Sequence, residues 1–228
     1  MQTKQQTGFT LFELMMVLVV AAILLGLGVP SFREFQRSAA ITNAANDLIT
    51  GLLAARAEAV KRHVPVTLCA SPDPFAAVPV CSQNGAGANG GFIVWVDWDA
   101  THIDGNKNPT FSASDGDAVV DAGEVTALNP VLIRSATPAT ATPAGTLNVF
   151  GDSGYVSFGA NGFVRTPPGL APPSATWVLY CDDRGNRSST AGLSAARAVR
   201  IDQTGRANVR TTTADIVAAV TATGGMCP

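Results

Sequence analysis

Four groups of residues in this chain have types and spacings that could do chemistry. Gly151-Asp152-Ser153-Gly154 reads like a turn that presents a serine nucleophile. A serine triad also needs a histidine base oriented by an acid. His63 closes a helical stretch and His102 sits among acids, so neither has that setting. Asp, Ser and Gly between strands equally describe an ordinary turn. The second group is acidic: Asp97, Asp99, Asp104, Asp115, Asp117, Asp121 and Glu124, with Lys107 as the one Lys or Arg among them. Calcium takes six to eight oxygens from a flexible loop. Asp115, Asp117, Asp121 and Glu124 are weak candidates for it, but EF-hand spacing is not met, and the stretch is read as a solvated acidic loop with no metal. The third group is basic: Arg184, Arg187, Arg197, Arg200, Arg206 and Arg210 are six of the 15 Lys and Arg residues. Arginines on one strand face could grip phosphates without reading sequence. The fourth is the set of four cysteines, Cys69, Cys81, Cys181 and Cys227, with no Cys-x-x-Cys spacing for redox catalysis. The chain is therefore read as a non-enzyme without a cofactor.

Composition narrows the classes. The chain has 228 residues, 46% hydrophobic and 14% charged, with a net charge of −2. So few charges with so much apolar content argue against disorder. The charge balance excludes a whole-chain basic footprint for nucleic acid, though not a local patch. Gly 22 and Pro 14 make the chain loop-rich.

The element with most information is the apolar run from Phe9 to Val29, which carries a single charge, Glu13. As a helix it would span about 32 Å, enough for a bilayer core. A short polar leader with Lys4 precedes it, which favours a cytoplasmic N-terminus. A cleaved signal peptide is one reading, with Ser38-Ala39-Ala40 as the cut. The run is longer than a signal core of ~7–15 residues. It also holds a carboxylate, which is costly in a membrane and marks function by default. A plain anchor explains the length but not Glu13.

Gly8-Phe9-Thr10-Leu11-Phe12-Glu13 resembles the processing motif of type IV pilins and type II secretion pseudopilins. The resemblance implies that prepilin peptidase cuts after Gly8 and methylates Phe9. It also implies that Glu13 pairs with the N-terminal amine of a neighbouring subunit during assembly. A buried carboxylate and a buried ammonium are each costly alone and tolerable together. The stretches AARAEAVKRHVPVTLC and GGFIVWVDWD, with a late Gly-Arg, are similar to the FimT/GspH branch of minor pilins. The implied function is a minor pilin in a tip or priming complex of a type IV pilus. Its partners would be other minor and major pilins, prepilin peptidase and the inner-membrane assembly platform. A GspH-like pseudopilin of a type II secretion system is the alternative. Some FimT-like pilins bind DNA through a Gly-Arg-x-Arg phrase. Here Gly205-Arg206 matches, but the second arginine, Arg210, comes two residues late. DNA uptake is thus a further alternative, with Arg206, Arg210, Arg197 and Arg200 as candidate contacts. The implied location is the inner membrane, with the head periplasmic, and then the pilus at the cell surface.

These residues need elements to hold them. Ile41, Ala45, Leu48, Leu52, Ala55 and Ala59 recur at spacings of 4 and 3, an amphipathic stripe. Pro30 predicts a kink and Pro65 a stop. One helix is expected from Phe9 to Arg62. Short β-branched and aromatic runs follow at 64–69, 92–98, 131–134, 147–150, 155–158, 177–181, 198–201, 207–210 and 216–220. The expected fold is α+β, a pilin-like lollipop whose long helix packs on an antiparallel sheet or two-sheet β domain. Its parts are the leader 1–8, the transmembrane half 9–29, the amphipathic half 30–63 and the β-rich head 64–228. In an oxidising compartment the four cysteines allow three pairings. The expected one is Cys69–Cys81 with Cys181–Cys227, the second tethering the tail, together stabilising by roughly 3 and 4 kcal/mol on the loop-entropy model.

Overall fold

The computed structural model describes residues 10–76, 79, 91–96, 131–136, 148–151, 155–165, 175–187, 192–224 and 227. The chain divides into two compact units, Met1–Ala39 and Ala40–Pro228. Helix α1, Leu11–Arg62, begins in the first unit, continues unbroken through Pro30 and enters the second. In the first unit its side chains from Leu11 to Leu25 are apolar except Glu13. Large ones such as Leu11, Phe12, Leu18 and Leu25 are exposed. A helix that is apolar on every side is suited to lipid or to other helices. Among the described residues no helix is long and apolar enough to cross a membrane. The expected span, 9–29, includes Phe9 and the Leu27 side chain, which lie outside them.

The second unit is built around the remainder of α1. The stripe Ile41, Ala45, Leu48, Leu52, Ala55 and Ala59 is buried along its whole length, and Ala44 joins it. It ends where His63 turns into the left-handed region, φ 55°, and Pro65 prevents another turn. Eight strands follow: β1 Val66–Ser71, β2 Gly91–Val96, β3 Val131–Ala136, β4 Asn148–Gly151, β5 Tyr155–Phe158, β6 Ala175–Cys181, β7 Leu193–Asp202 and β8 Ala207–Thr212. They form two four-stranded sheets, β3-β2-β1-β5 and β4-β6-β7-β8, with every pairing antiparallel.

Both sheets send side chains to the same stripe. Val66, Leu68, Phe92, Val94, Val156 and Phe158 come from the first sheet, and Tyr180, Val199 and Ile201 from the second. Alternation along each strand puts these residues on one face. The other face of the first sheet holds a smaller cluster of Cys69, Ile93 and Trp95. Thr67 and Ser157, opposite each other on β1 and β5, are buried and satisfy one another through a 2.9 Å hydroxyl hydrogen bond.

The final element differs from expectation. Ile216–Val220 reads as a strand by composition but lies in helix α2, Thr213–Thr223. Local caps decide the matter. The Thr212 side chain accepts the backbone N–H of Asp215, and Gly224 closes the far end in the left-handed region. Ile216 and Ala219, three apart, face inward against Leu179, Cys181, Ala196 and Ala198 on the outer face of the second sheet. The cysteines also differ from expectation. Cys69 is disulfide-bonded, and Cys81 lies outside the described residues. Cys181 and Cys227 are free thiols rather than the expected disulfide. The tail brings them into hydrogen-bonding contact without a covalent bond.

Two glycines are fixed by close packing. A Cβ at Gly51, within α1, would lie 2.5 Å from the Phe92 ring. At Gly205, in the β7–β8 turn, φ is +78° and a Cβ would lie 2.8 Å from the ring of the fully buried Phe158. Gly51→Ala is expected to destabilise the head by about 1–3 kcal/mol through overpacking. Gly205→Ala should cost more, on the order of 2–4 kcal/mol, because the backbone strain is added. Thermal melts of the two variants check this. Gly26→Ala, with nothing within 4 Å, should leave the melt of the head unchanged.

Candidate functional site

The N-terminal motif is described from Thr10 onward; Gly8 and Phe9 lie outside the described residues. The Thr10 hydroxyl accepts the Glu13 backbone N–H at 3.2 Å, and the Leu14 N–H reaches the Thr10 carbonyl, also at 3.2 Å. Thr10 therefore caps α1, and Glu13 stands at the third helical position. Thr-x-x-Glu is the capping-box pattern. The cap is made by the Thr10 hydroxyl and the Glu13 backbone N–H, and its Thr-x-x-Glu signal is present in the sequence. The Glu13 carboxylate sits where the helix macrodipole favours negative charge. Glu13 is solvent-exposed on a helix whose other side chains there are apolar.

The arginines expected together do different things. Arg197 Nη1 donates to the carbonyls of Ser194, Ala195 and Ala196 at 2.9, 3.3 and 2.9 Å. Those carbonyls lie where the β7–β8 register shifts. Burial, and then the nearby charge of Arg184, lower the pKa of Arg197. Its guanidinium therefore props an irregular strand instead of facing a ligand.

Arg200 and Arg210 have a different setting. Register places Arg200 opposite both Trp177 and Asn208, and Arg210 opposite Ala198. All five residues share the outer face of the second sheet. The Arg200 guanidinium lies 5.7 Å from the centroid of the Trp177 ring, a cation–π contact. The Nε atoms of both arginines are buried and lack a hydrogen-bond partner among the described residues. Two like charges on one face attract an anion to that face.

Arg206 stands just before β8, in the turn organised by Asp202. The Asp202 carboxylate accepts the Thr204 hydroxyl at 2.6 Å, and the N–H groups of Thr204 and Arg206 at 3.0 Å each. The Thr204 hydroxyl bond chiefly, helped by these N–H groups and the Arg206 charge, holds that carboxyl below the ordinary range. The Gly-Arg phrase is thus explained first by turn geometry. At the opposite end of β7, Arg184 forms a close pair with the buried Asp182, with Nη2 at 2.7 Å and Nε at 2.9 Å from Oδ2.

The remaining candidates add no site among the described residues. Asp115, Asp117, Asp121, Glu124, Ser153 and His102 lie outside them. Among the described residues no three His, Cys, Asp or Glu side chains are grouped to hold a metal.

Comparison with known proteins assigns the chain. Residues 3–29 match the prokaryotic N-terminal methylation motif. No curated protein matches the sequence. Two crystal structures of the type IV minor pilin FimU of Pseudomonas aeruginosa are similar. The one in space group P21 is 19% identical, with 75% of this chain and 87% of that chain covered and a TM-score of 0.41. The one in space group P65 is 18% identical, with 74% and 91% covered and the same TM-score of 0.41. Residues 44–205 match the family described as type II transport protein GspH. That match takes in most of the chain, from the buried stripe of α1 to the β7–β8 turn, so the protein belongs to the GspH family of minor pilins and pseudopilins, which are structural proteins and not enzymes.

Proposed function

We propose that this protein is a minor pilin, held in the inner membrane by the first half of α1 and then incorporated into a type IV pilus, in a tip or priming complex. The observation that carries the reading is the first half of α1 itself. It is apolar on every side, unpartnered in its own unit, and interrupted by one carboxylate at the third helical position. Such a surface calls for lipid first and neighbouring helices afterwards. Prepilin peptidase would cut after Gly8 and methylate Phe9. Glu13 would then meet the freed amine of an adjacent subunit, an ion pair that offsets the cost of burying either charge alone. The parts of the chain on this reading are the leader 1–8, the membrane half 9–29, the amphipathic half 30–63 and the head 64–228. Its partners are other minor and major pilins and the inner-membrane assembly platform.

A second reading, DNA capture by the assembled pilus, is favoured by one observation: Arg200 and Arg210 share a sheet face with Trp177, over which the Arg200 guanidinium lies. Guanidinium groups beside an aromatic ring suit a phosphate backbone and stacked bases.

Two experiments separate these readings. Glu13→Gln removes the charge and keeps the side-chain length; Glu13→Ala removes both, while the Thr10 cap, made through the Glu13 backbone N–H, is common to all three. Both variants are expected to be processed at Gly8 and to be missing from sheared pili, as read by immunoblot. Incorporation at the wild-type level would reject the Glu13 pairing. Wild-type protein that is absent from pili but needed for protein secretion would place it in a secretion pseudopilus instead. For DNA, Arg200→Gln with Arg210→Gln should weaken binding of a single-stranded oligonucleotide and reduce the salt slope by about 1 to 2. An unchanged affinity and slope would remove this face from DNA binding.

A further inference from the structure

The two sheets end differently. In the first, the chain closes the outer side of β5 with its own return: Phe158 bridges Val164, and the Arg165 N–H reaches the Ser157 carbonyl at 2.8 Å. In the second, the edges are β4, four residues long, and β8, six residues long. Among the described residues no strand pairs with the outer side of β8. The strand also lacks the usual protection of an edge: it has no proline, and Arg210 is its single charge.

Register defines what that edge offers. At the β7–β8 turn the Asp202 N–H donates to the Arg206 carbonyl at 3.0 Å, so these two residues are a hydrogen-bonded pair. Alternation makes Arg200 with Asn208, and Ala198 with Arg210, hydrogen-bonded pairs as well. The N–H and C=O groups of Ala207 and Val209 therefore point away from β7. Their side chains pack against the core, yet both residues are only partly buried. Asn208 and Arg210 alternate with them on the outer face, where Arg200 is a second cation.

We propose that β8 accepts a further strand: an extended segment of a different, neighbouring subunit, with apolar side chains beside Ala207 and Val209 and a carboxylate opposite Arg210. The identity of that occupant rests on the chain being a filament subunit. Main-chain bonds to Ala207 and Val209 hold the segment, and its alternate side chains select it. Those facing inward finish covering the edge of the core. The acid facing outward forms a cross-strand pair with Arg210. A second copy of this chain does not fit. The antiparallel registers that overlap β8 most fully with itself set the two Arg210 side chains opposite or diagonal to each other, and like charges so placed repel.

The test uses the full-length protein in detergent and three short peptides with blocked ends. One alternates Val and Glu, one alternates Val and Lys, and the third is the Val and Glu peptide with its valine nitrogens methylated. Binding is read by fluorescence anisotropy and by amide hydrogen exchange. The Val and Glu peptide should bind the wild type about three- to tenfold more tightly than the Val and Lys peptide. Methylation should abolish binding. The bound peptide should slow exchange at Ala207 and Val209 and leave Asn208 and Arg210, already bonded to β7, as they were. The same two amides should be protected in sheared pili. Arg210→Glu should reverse the preference between the charged peptides. Val209→Pro, which removes an outward N–H and no β7–β8 bond, should bind neither. No saturable binding of the Val and Glu peptide up to roughly 1 mM, equal binding of the methylated peptide, or protection that does not single out Ala207 and Val209 would each overturn the proposal. So would free exchange of these two amides in pili that contain the protein. All of these arms use the wild type, so a variant that misfolds does not shield the idea. Wild-type protein that binds the peptide but joins no filament would overturn the occupant together with the filament reading, while sustaining the edge.

Discussion

The head depends on one steric constraint: the buried stripe of α1 must be made of small and medium side chains. Ala44, Ala45, Ala55 and Ala59 let the inner faces of two separate sheets approach one helix, and Gly51 lets the Phe92 ring lie against its backbone. Neither sheet has a core of its own on that side. Each buries its apolar face only because the helix is there, which is the usual condition for a four-stranded antiparallel sheet. Larger residues along the stripe would lever the two sheets away from the helix, and the interior does not tolerate such expansion.

Much of this arrangement was legible in the residues. The 4-and-3 spacing from Ile41 to Ala59 specified the buried face of α1, because a 3.6-residue period leaves few ways to hide it. Most strands were marked by β-branched runs between turn residues, though their ends moved. β7 extends to Leu193, beyond the apolar run, because Arg197 satisfies the carbonyls of its irregular part. The miss was α2. Ile216–Val220 is rich in β-branched residues, and the deciding information lay outside that window, in Thr212 with Asp215 and in Gly224. The same kind of local signal, Thr10 with Glu13, was overlooked at the start of α1.

The candidate site was legible by residue type and not by role. Six late arginines looked like one group, yet Arg197 serves a backbone irregularity, Arg184 neutralises Asp182, and Arg206 belongs to a turn. Arg187 lies in the β6–β7 connection, where its backbone joins Arg184 to Ala195, and Arg200 and Arg210 share the outer face of the second sheet with Trp177. Composition counts charges, while strand register decides which of them share a face. Gly205 shows the same separation: its positive φ and its approach to Phe158 give it a structural purpose whatever the following arginine does.

The shared helix also sets the order in which the head can form. The stripe on α1 is synthesised first, while the inner-face residues Tyr180, Val199 and Ile201 come from strands near the other end of the chain. Contacts of such long sequence separation make for slow folding, because loop closure must precede any reward from packing. Until β7 has emerged, part of the apolar stripe has nothing to cover it. The nascent head is therefore open to aggregation for most of its synthesis. A chain truncated before β7 would keep the whole helix and the entire first sheet and still leave its core unclosed.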